Sequence, residues 1–232
     1  MLKVLELFAG SRSIGKEAEK LGYKVFSVDW GDFKGIDLQI DIGKLKLEDI
    51  PFIPDIIWAS PDCTTYSIAA ISTHRNKEDR SGKTEYAKQC DIVNQHWMNL
   101  IKEWQKLNPN LVYYIENPRG GLRKMPWMQY HPIRNTVWYC QYGDDRAKPT
   151  DIWTNNQGWI PRPMCHNKRK DENGDVIHHC HHETAPRGSK TGTQGKKGSY
   201  ERSKIPRELC KEILIAGIII SKDTQEQPRG CR

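Results

Sequence analysis

Lys3-Val-Leu-Glu-Leu-Phe-Ala-Gly-Ser-Arg-Ser-Ile-Gly15 begins as a short apolar run, breaks at Ala9-Gly10 and passes into a helical stretch. The helical pattern covers residues 13–21 and stops at Gly22. Tyr23-Lys-Val-Phe-Ser-Val-Asp29 follows and is β-rich and alternating. Strand, glycine turn, helix and strand make a βαβ unit, which implies a parallel sheet. Further strands are expected at residues 36–42, 55–59, 111–115 and 136–142. Residues 84–107 form the longest expected helix, with Cys90, Val93, Trp97, Leu100, Ile101 and Trp104 on one face at helical spacing. Asn108-Pro109 ends it. The expected fold is α/β, a doubly wound and mostly parallel sheet whose ligands sit at the carboxyl ends of the strands.

The chain has 232 residues, enough for one large domain with a small appendage. Hydrophobic residues make up 37% and charged residues 28%, which suits a globular protein and argues against global disorder. The longest apolar run, residues 213–220, falls well short of the roughly 20 residues that a membrane span requires. The amino-terminal residues carry a charge at Lys3 and lack a small-residue cleavage site, so no signal peptide is expected. Secreted, collagenous and membrane classes are thereby set aside. Seven Cys, an odd number, suggest free thiols in a reducing, cytoplasmic compartment.

Lys and Arg total 36 against 29 Asp and Glu. Residues 162–207 hold eleven of the former and five of the latter, so most of the excess positive charge sits there. A local basic block in a balanced chain favours a polyanion partner, because neutralised phosphates release counterions. The composition turns rich in Gly, Lys, Arg and His and poor in aliphatics over the same region. Three units are expected: an α/β domain over residues 1–155, a small loop-rich segment over 156–204, and a returning helix within 205–232. Pro206 is well placed to start that helix.

Three segments at strand ends carry chemistry. Gly10 lets the backbone approach a ligand, and Asp29, nineteen residues on, can grip a ribose diol. Asp41 can accept from an adenine amino group. Ser11 and Ser13 stand where a dinucleotide fingerprint would carry more Gly, which argues against NAD. The second segment is Ala59-Ser-Pro-Asp-Cys-Thr-Thr-Tyr-Ser67, where Cys63 is a candidate nucleophile in a polar loop rather than a core thiol. The third is Ile115-Glu-Asn-Pro118, where Glu116 can donate a proton if it is desolvated.

Together these segments resemble the DNA cytosine-5 methyltransferase family in its short phage and prophage form. Phe8, Ala9, Gly10 and Ser11 resemble its S-adenosylmethionine loop. Asp29-Trp30 resembles the ribose-binding acid and adenine-stacking aromatic, and Asp41-Ile42 the adenine contact. Ser60-Pro-Asp-Cys63 resembles the Pro-Pro-Cys nucleophile loop, and Glu116-Asn-Pro118 the Glu-Asn-Val motif. Residues 142–148, with Arg146 and Lys148, resemble the later basic motif, and residues 202–206 the last motif. The resemblance covers roughly two-thirds of the chain. It implies a Rossmann-like methyltransferase fold, S-adenosylmethionine as cofactor, and a monomer acting on double-stranded DNA. Cys63 would add to C6 of a flipped cytosine, Glu116 would donate toward N3, and Arg146 and Lys148 would hold the base and its phosphate. Asp62 stands where the family has Pro, and its charge is expected to raise the pKa of Cys63. Two other readings compete. One is an amino methyltransferase, suggested by Ser60-Pro61 but opposed by Cys63 where an aromatic should stack the base. The other is a nucleic-acid-binding protein without catalysis.

Cys165 precedes His178-His-Cys-His-His182, and such residues can bind zinc where a segment lacks a core. Cys165, Cys180 and His181 are the expected ligands. Arg187, Lys190, Lys196 and Lys197 lie in the Gly/Lys stretch that corresponds to the family's target-recognition region and are the expected DNA contacts.

Overall fold

A computed structural model describes residues 1–182 and 198–223. The chain runs β1 (Lys3–Leu7), α1 (Ser13–Lys20), β2 (Lys24–Asp29), β3 (Leu38–Gln39), β4 (Ile56–Ala59), α2 (Ile71–His74), α3 (Glu85–Leu107), β5 (Val112–Pro118), β6 (Ile133–Trp138), β7 (Pro149–Thr154), α4 (Ser199–Ser203) and α5 (Arg207–Asp223). The strands form a single sheet in the order β3-β2-β1-β4-β5-β7-β6. Every pairing from β3 across to β5 is parallel, whereas β7 runs antiparallel to both β5 and β6. The expected doubly wound, mostly parallel sheet is therefore present. Its strand order reverses at β1 and β4, where such sheets open a crevice for ligands.

The parallel strands are buried on both faces, so they read as continuous apolar runs rather than alternating ones. On one face α3 lays Trp97, Ile101 and Trp104 against Leu5, Leu7, Ile57 and Ile115. Burying one such side chain contributes about 1.5–3 kcal/mol. Thr84 caps α3 by accepting from the Ala87 N–H. On the other face Ile14 and Ala18 of α1 and Leu209 and Ile213 of α5 cover Val4, Ile56, Trp58 and Tyr114. Arg207 of α5 pairs with Glu17 of α1 at 3.1 Å, and Ile205 N–H donates to Ser13 Oγ at 3.2 Å. The C-terminal helix thus returns to the glycine-turn unit with which the chain begins. Among the described residues no helix is long and apolar enough to cross a membrane.

Four local expectations need correction. The strand expected over 36–42 has only two paired residues, because Asp41 accepts the Gly43 N–H and starts a turn instead. The Glu116 motif lies inside β5 rather than beyond it. The strand expected over 136–142 is shifted toward the N-terminus, and Tyr139–Tyr142 form a 3-10 turn. Strand β7 escaped the sequence reading because Thr150, Asp151 and Thr154 are polar yet fully buried. Asp151 is satisfied by Arg123 and Thr136, partners that no local pattern reveals.

Candidate active site

The carboxyl ends of β1, β2, β4 and β5 converge on one edge of the sheet. After β1 the chain turns through three left-handed residues, Phe8 (φ 55), Gly10 (φ 45) and Arg12 (φ 55). Two of them carry side chains, so the turn stores strain that its surroundings must hold. Asp29 does much of that work. Its two oxygens accept the Gly10 N–H at 2.9 Å and the Gly31 N–H at 2.8 Å, and the residue is buried. Asp29 thus clamps the turn through its backbone amides, and each oxygen keeps a second lone pair for a ribose hydroxyl. Ser11 is also buried and shares a hydrogen bond with Ser13 at 2.8 Å.

A cavity opens beside this turn, lined by Phe8, Trp30, Asp41, Ile42, Tyr86 and Val93, with Asp62 and Cys90 also on its wall. Four expected cofactor residues, Phe8, Trp30, Asp41 and Ile42, therefore share one pocket. Trp30 is 74% exposed, an unusual state for a large aromatic and one that leaves its ring free to stack on a planar ligand. Ala9, Gly10, Ser11, Asp29, Ser60 and Pro61 do not line it. They shape the strand ends: Ala9 N–H bonds to Val28 O, and Ser60 takes the Trp58 indole N–H at 2.7 Å. The donor set suits an adenosine group, with an open indole, an acidic oxygen at Asp41 and an apolar floor at Phe8 and Ile42.

Cys63 begins the 3-10 turn Thr64–Tyr66 directly after β4 and is half-buried. Its thiol pKa is pushed up to about 11, first by burial, then by the Glu116 carboxylate. Asp62 adds a smaller push and Lys148 pulls the other way. The expected effect of Asp62 is present but minor; its carboxylate accepts the Thr64 N–H at 2.5 Å and the Tyr86 hydroxyl at 2.5 Å. The loop after Cys63 is braced from below by Arg75, which is buried. Arg75 bonds the Thr65 carbonyl and hydroxyl and forks onto Asp91 at 2.9 and 3.0 Å, while stacking 4.0 Å from the Tyr66 ring centre.

Glu116 is buried on β5, whose neighbour is β4. It accepts the Tyr139 hydroxyl at 2.9 Å and faces Lys148 Nζ at 3.7 Å. Lys148 also lies 4.5 Å from the Tyr139 ring centre. The structure thus gathers Cys63, Glu116 and Lys148 near one another, as expected. Arg146 departs from its expected role. Its guanidinium is buried, forks onto Asp144 at 2.7 and 2.5 Å, and donates to the carbonyls of Arg202 and Lys204 at 3.0 and 3.1 Å. These bonds use four of the five guanidinium N–H groups, so Arg146 acts as a clasp between the sheet and the C-terminal segment.

Arg187, Lys190, Lys196 and Lys197 lie outside the described residues. Cys165 and Cys180 do come together, and His181 Nδ1 lies 4.0 Å from Cys180 Sγ, but His181 stands outside the tight cluster. Its Nε2 lies 3.1 Å from the Asp144 carbonyl, and His182 and Cys140 occupy the cluster instead.

No family model matches the sequence. A curated protein named "Probable DNA (cytosine-5)-methyltransferase", from Frog virus 3 (isolate Goorha), is 25% identical over 230 residues, covering 92% of this chain and 99% of the viral one. The chain resembles a DNA cytosine-5 methyltransferase along nearly its whole length. Solved structures are more distant. A putative DNA modification methyltransferase of an E. coli prophage gives a TM-score of 0.49 at 15% identity, over 71% of this chain and 52% of that one. The S. pombe Dnmt2 methyltransferase gives 0.45 at 16%, over 69% and 53%. The chain therefore spans about half the length of these solved methyltransferases.

The reading from sequence passed over four residues that hold this methyltransferase-like site together. Tyr139 supports Glu116 but looks like any core aromatic. Arg75 and Asp91 sit in segments with no motif. Glu6 is buried within β1, where it accepts the Ile14 N–H at 3.0 Å and the Ser27 hydroxyl at 3.0 Å. A charged residue amid the apolar run of β1 was the available signal for Glu6.

Proposed function

We infer that this chain is an S-adenosylmethionine-dependent DNA cytosine-5 methyltransferase that acts through a covalent adduct at Cys63. The observation carrying this reading is the half-buried Cys63 thiol lying under the influence of Glu116 and Lys148, at the end of the strand next to β5. Trp30, Asp41, Phe8 and Ile42 would hold the adenosyl group. S-adenosylmethionine supplies an electrophilic methyl group when bound. Cys63 Sγ bonds to C6 of a cytosine turned out of the duplex, and the C5–C6 π pair becomes available at C5. The Glu116 carboxylate takes up the proton that Cys63 releases and delivers it toward N3, which drains the charge that addition would leave on the ring. Once C5 carries the methyl group, its proton departs to a base, the C6–S bond breaks, the N3 proton returns to Glu116 and the Cys63 thiolate is restored.

The thiol rests protonated at neutral pH, so its ionisation is coupled to substrate entry. Lys148 favours the thiolate and is the cation placed to assist. DNA as the substrate also accounts for a groove lined by Ile68, Arg80, Arg119 and Lys124 beside the loop that follows Cys63. Gly120 permits this arrangement, because a Cβ there would lie 2.6 Å from the Tyr66 carbonyl oxygen.

The test is nucleoside mass spectrometry of DNA incubated with the protein and S-adenosylmethionine, beside Cys63→Ala. 5-Methylcytosine that vanishes in the variant is expected. N4-methylcytosine or N6-methyladenine would overturn the reading in favour of an amino methyltransferase. No modified base on DNA would leave the binding-protein reading in its place.

A further inference from the structure

We propose that Cys140, Cys165, Cys180 and His182 form a structural zinc site that staples the exposed hairpin of residues 165–182 to the catalytic sheet. One ligand atom from each lies within 4.8 Å of every other, and Cys165 Sγ is 3.7 Å from His182 Nδ1. Tetrahedral zinc at about 2.3 Å from sulfur and 2.0 Å from nitrogen places ligand atoms roughly 3.5–3.8 Å apart. A small contraction brings the four groups to that spacing. Three thiolates and one imidazole suit zinc rather than a hard cation.

No apolar packing of its own holds the hairpin in place. None of residues 160–182 is buried. Its own order rests on main-chain bonds, Lys168 N–H to His178 O and Ile177 N–H to Arg169 O, both 2.9 Å, and on an isolated bridge between Lys170 and Val176. Val176 and Ile177 point no apolar face at a core, being 39% and 56% exposed. A segment that buries so little apolar surface needs a covalent or metal staple to be ordered. The cluster sits at the base of the hairpin, where Asn167 touches two ligand residues: its Oδ1 accepts the Cys180 N–H at 3.0 Å, and its Nδ2 lies 3.2 Å from His182 Nε2.

Cys140 is the buried member and belongs to the other side of the joint. It follows Tyr139, the residue that supports Glu116, and sits in the same turn. His181 makes a second attachment to this segment, at the Asp144 carbonyl. The metal would therefore fix the basic segment against the stretch that carries Tyr139, Arg146 and Lys148. This inference does not depend on the chemistry assigned to Cys63.

The experiment is elemental analysis of the tag-free full-length chain, with the cobalt(II) spectrum of the same protein after exchange. About one zinc per chain is expected, together with intense ligand-field bands and a thiolate charge-transfer band of a tetrahedral cobalt site. Cys140→Ser, Cys165→Ser and His182→Ala should each lose the metal, whereas His178→Ala and His181→Ala should retain it. Because a ligand variant may fail to fold, alkylation of the native chain is followed by mass spectrometry in parallel. Cys140, Cys165 and Cys180 should become reactive on adding a chelator. Absence of zinc with no tetrahedral cobalt spectrum would overturn the proposal. Release of these thiols by a reductant but not by a chelator would also overturn it, and would assign a disulfide instead.

Discussion

Asn117 Nδ2 donates to the Pro61 carbonyl at 2.9 Å across 56 residues of sequence. The bond ties β5, which bears Glu116, to the loop that bears Cys63. Asn117 is buried, and its Oδ1 is the buried side-chain atom left without a hydrogen-bond partner among the described residues. Such a group is retained at a cost of about 1–3 kcal/mol, which points to a positional role for the amide.

Asn117→Ala should therefore cost little stability, because the loss of one bond is offset by removal of the orphan oxygen. Turnover should fall far more, by on the order of 100-fold, since Cys63 and Glu116 lose their shared reference point. Urea denaturation alongside initial rates separates the two effects. Wild-type turnover in this variant would show that the link between β5 and the loop is dispensable.

The thiol of Cys63 should alkylate faster as pH rises, with a midpoint near 11. Negative charge at Glu116 raises that midpoint and positive charge at Lys148 lowers it. Glu116→Gln should accordingly move the alkylation profile to lower pH, and Lys148→Met should move it to higher pH. Mass spectrometry of iodoacetamide adducts at Cys63 across pH reads both shifts. Opposite signs would mean that the charges act on another group.

Glu6 gives the fold a pH dependence of its own. Burial pushes its carboxyl up to about 7 from 4.5. The folded state therefore holds its proton more tightly than the unfolded state. Stability from this group is complete below about 4.5 and declines as pH rises through about 7, by on the order of 3 kcal/mol. Glu6→Gln should flatten that decline, which urea unfolding at pH 5 and pH 8 would measure. A slope equal to that of the wild type would assign the pH dependence elsewhere.

Arg146 should behave as a structural clasp. Arg146→Gln removes the fork onto Asp144 and the bonds to the carbonyls of Arg202 and Lys204. Breaking a buried pair by removing one partner typically costs about 3–5 kcal/mol. The melting temperature should drop and proteolysis should begin near residues 198–204. The further addition of Asp144→Ala should cost less than it does alone, because the two act as one unit. Full additivity would contradict the clasp.

Trp30→Ala should leave the fold intact, since the side chain is largely in solvent. S-adenosylmethionine affinity should weaken by about 1–3 kcal/mol through lost stacking, read by calorimetry. Unchanged affinity would place the adenine elsewhere.

The βαβ order, the parallel sheet, the buried stripe of α3 and the strand-end position of Cys63 were legible in the chain's local pattern. These features are local: apolar runs, helical spacing and glycine breaks are set by neighbours in the chain. Tertiary structure decided what each charged group does. Asp29 and Arg146 were legible as charged residues near a site, but their carboxylate and guanidinium engage Gly10, Gly31, Asp144, Arg202 and Lys204, partners fixed only by folding. Strand β7 was hidden because Asp151 is buried against Arg123, 28 residues away in sequence. Cys140 joined Cys165 and Cys180 because the hairpin folds back across the sheet edge. Hydrogen bonds and ion pairs in a low-dielectric interior depend on distance in space, and sequence spacing does not encode that distance.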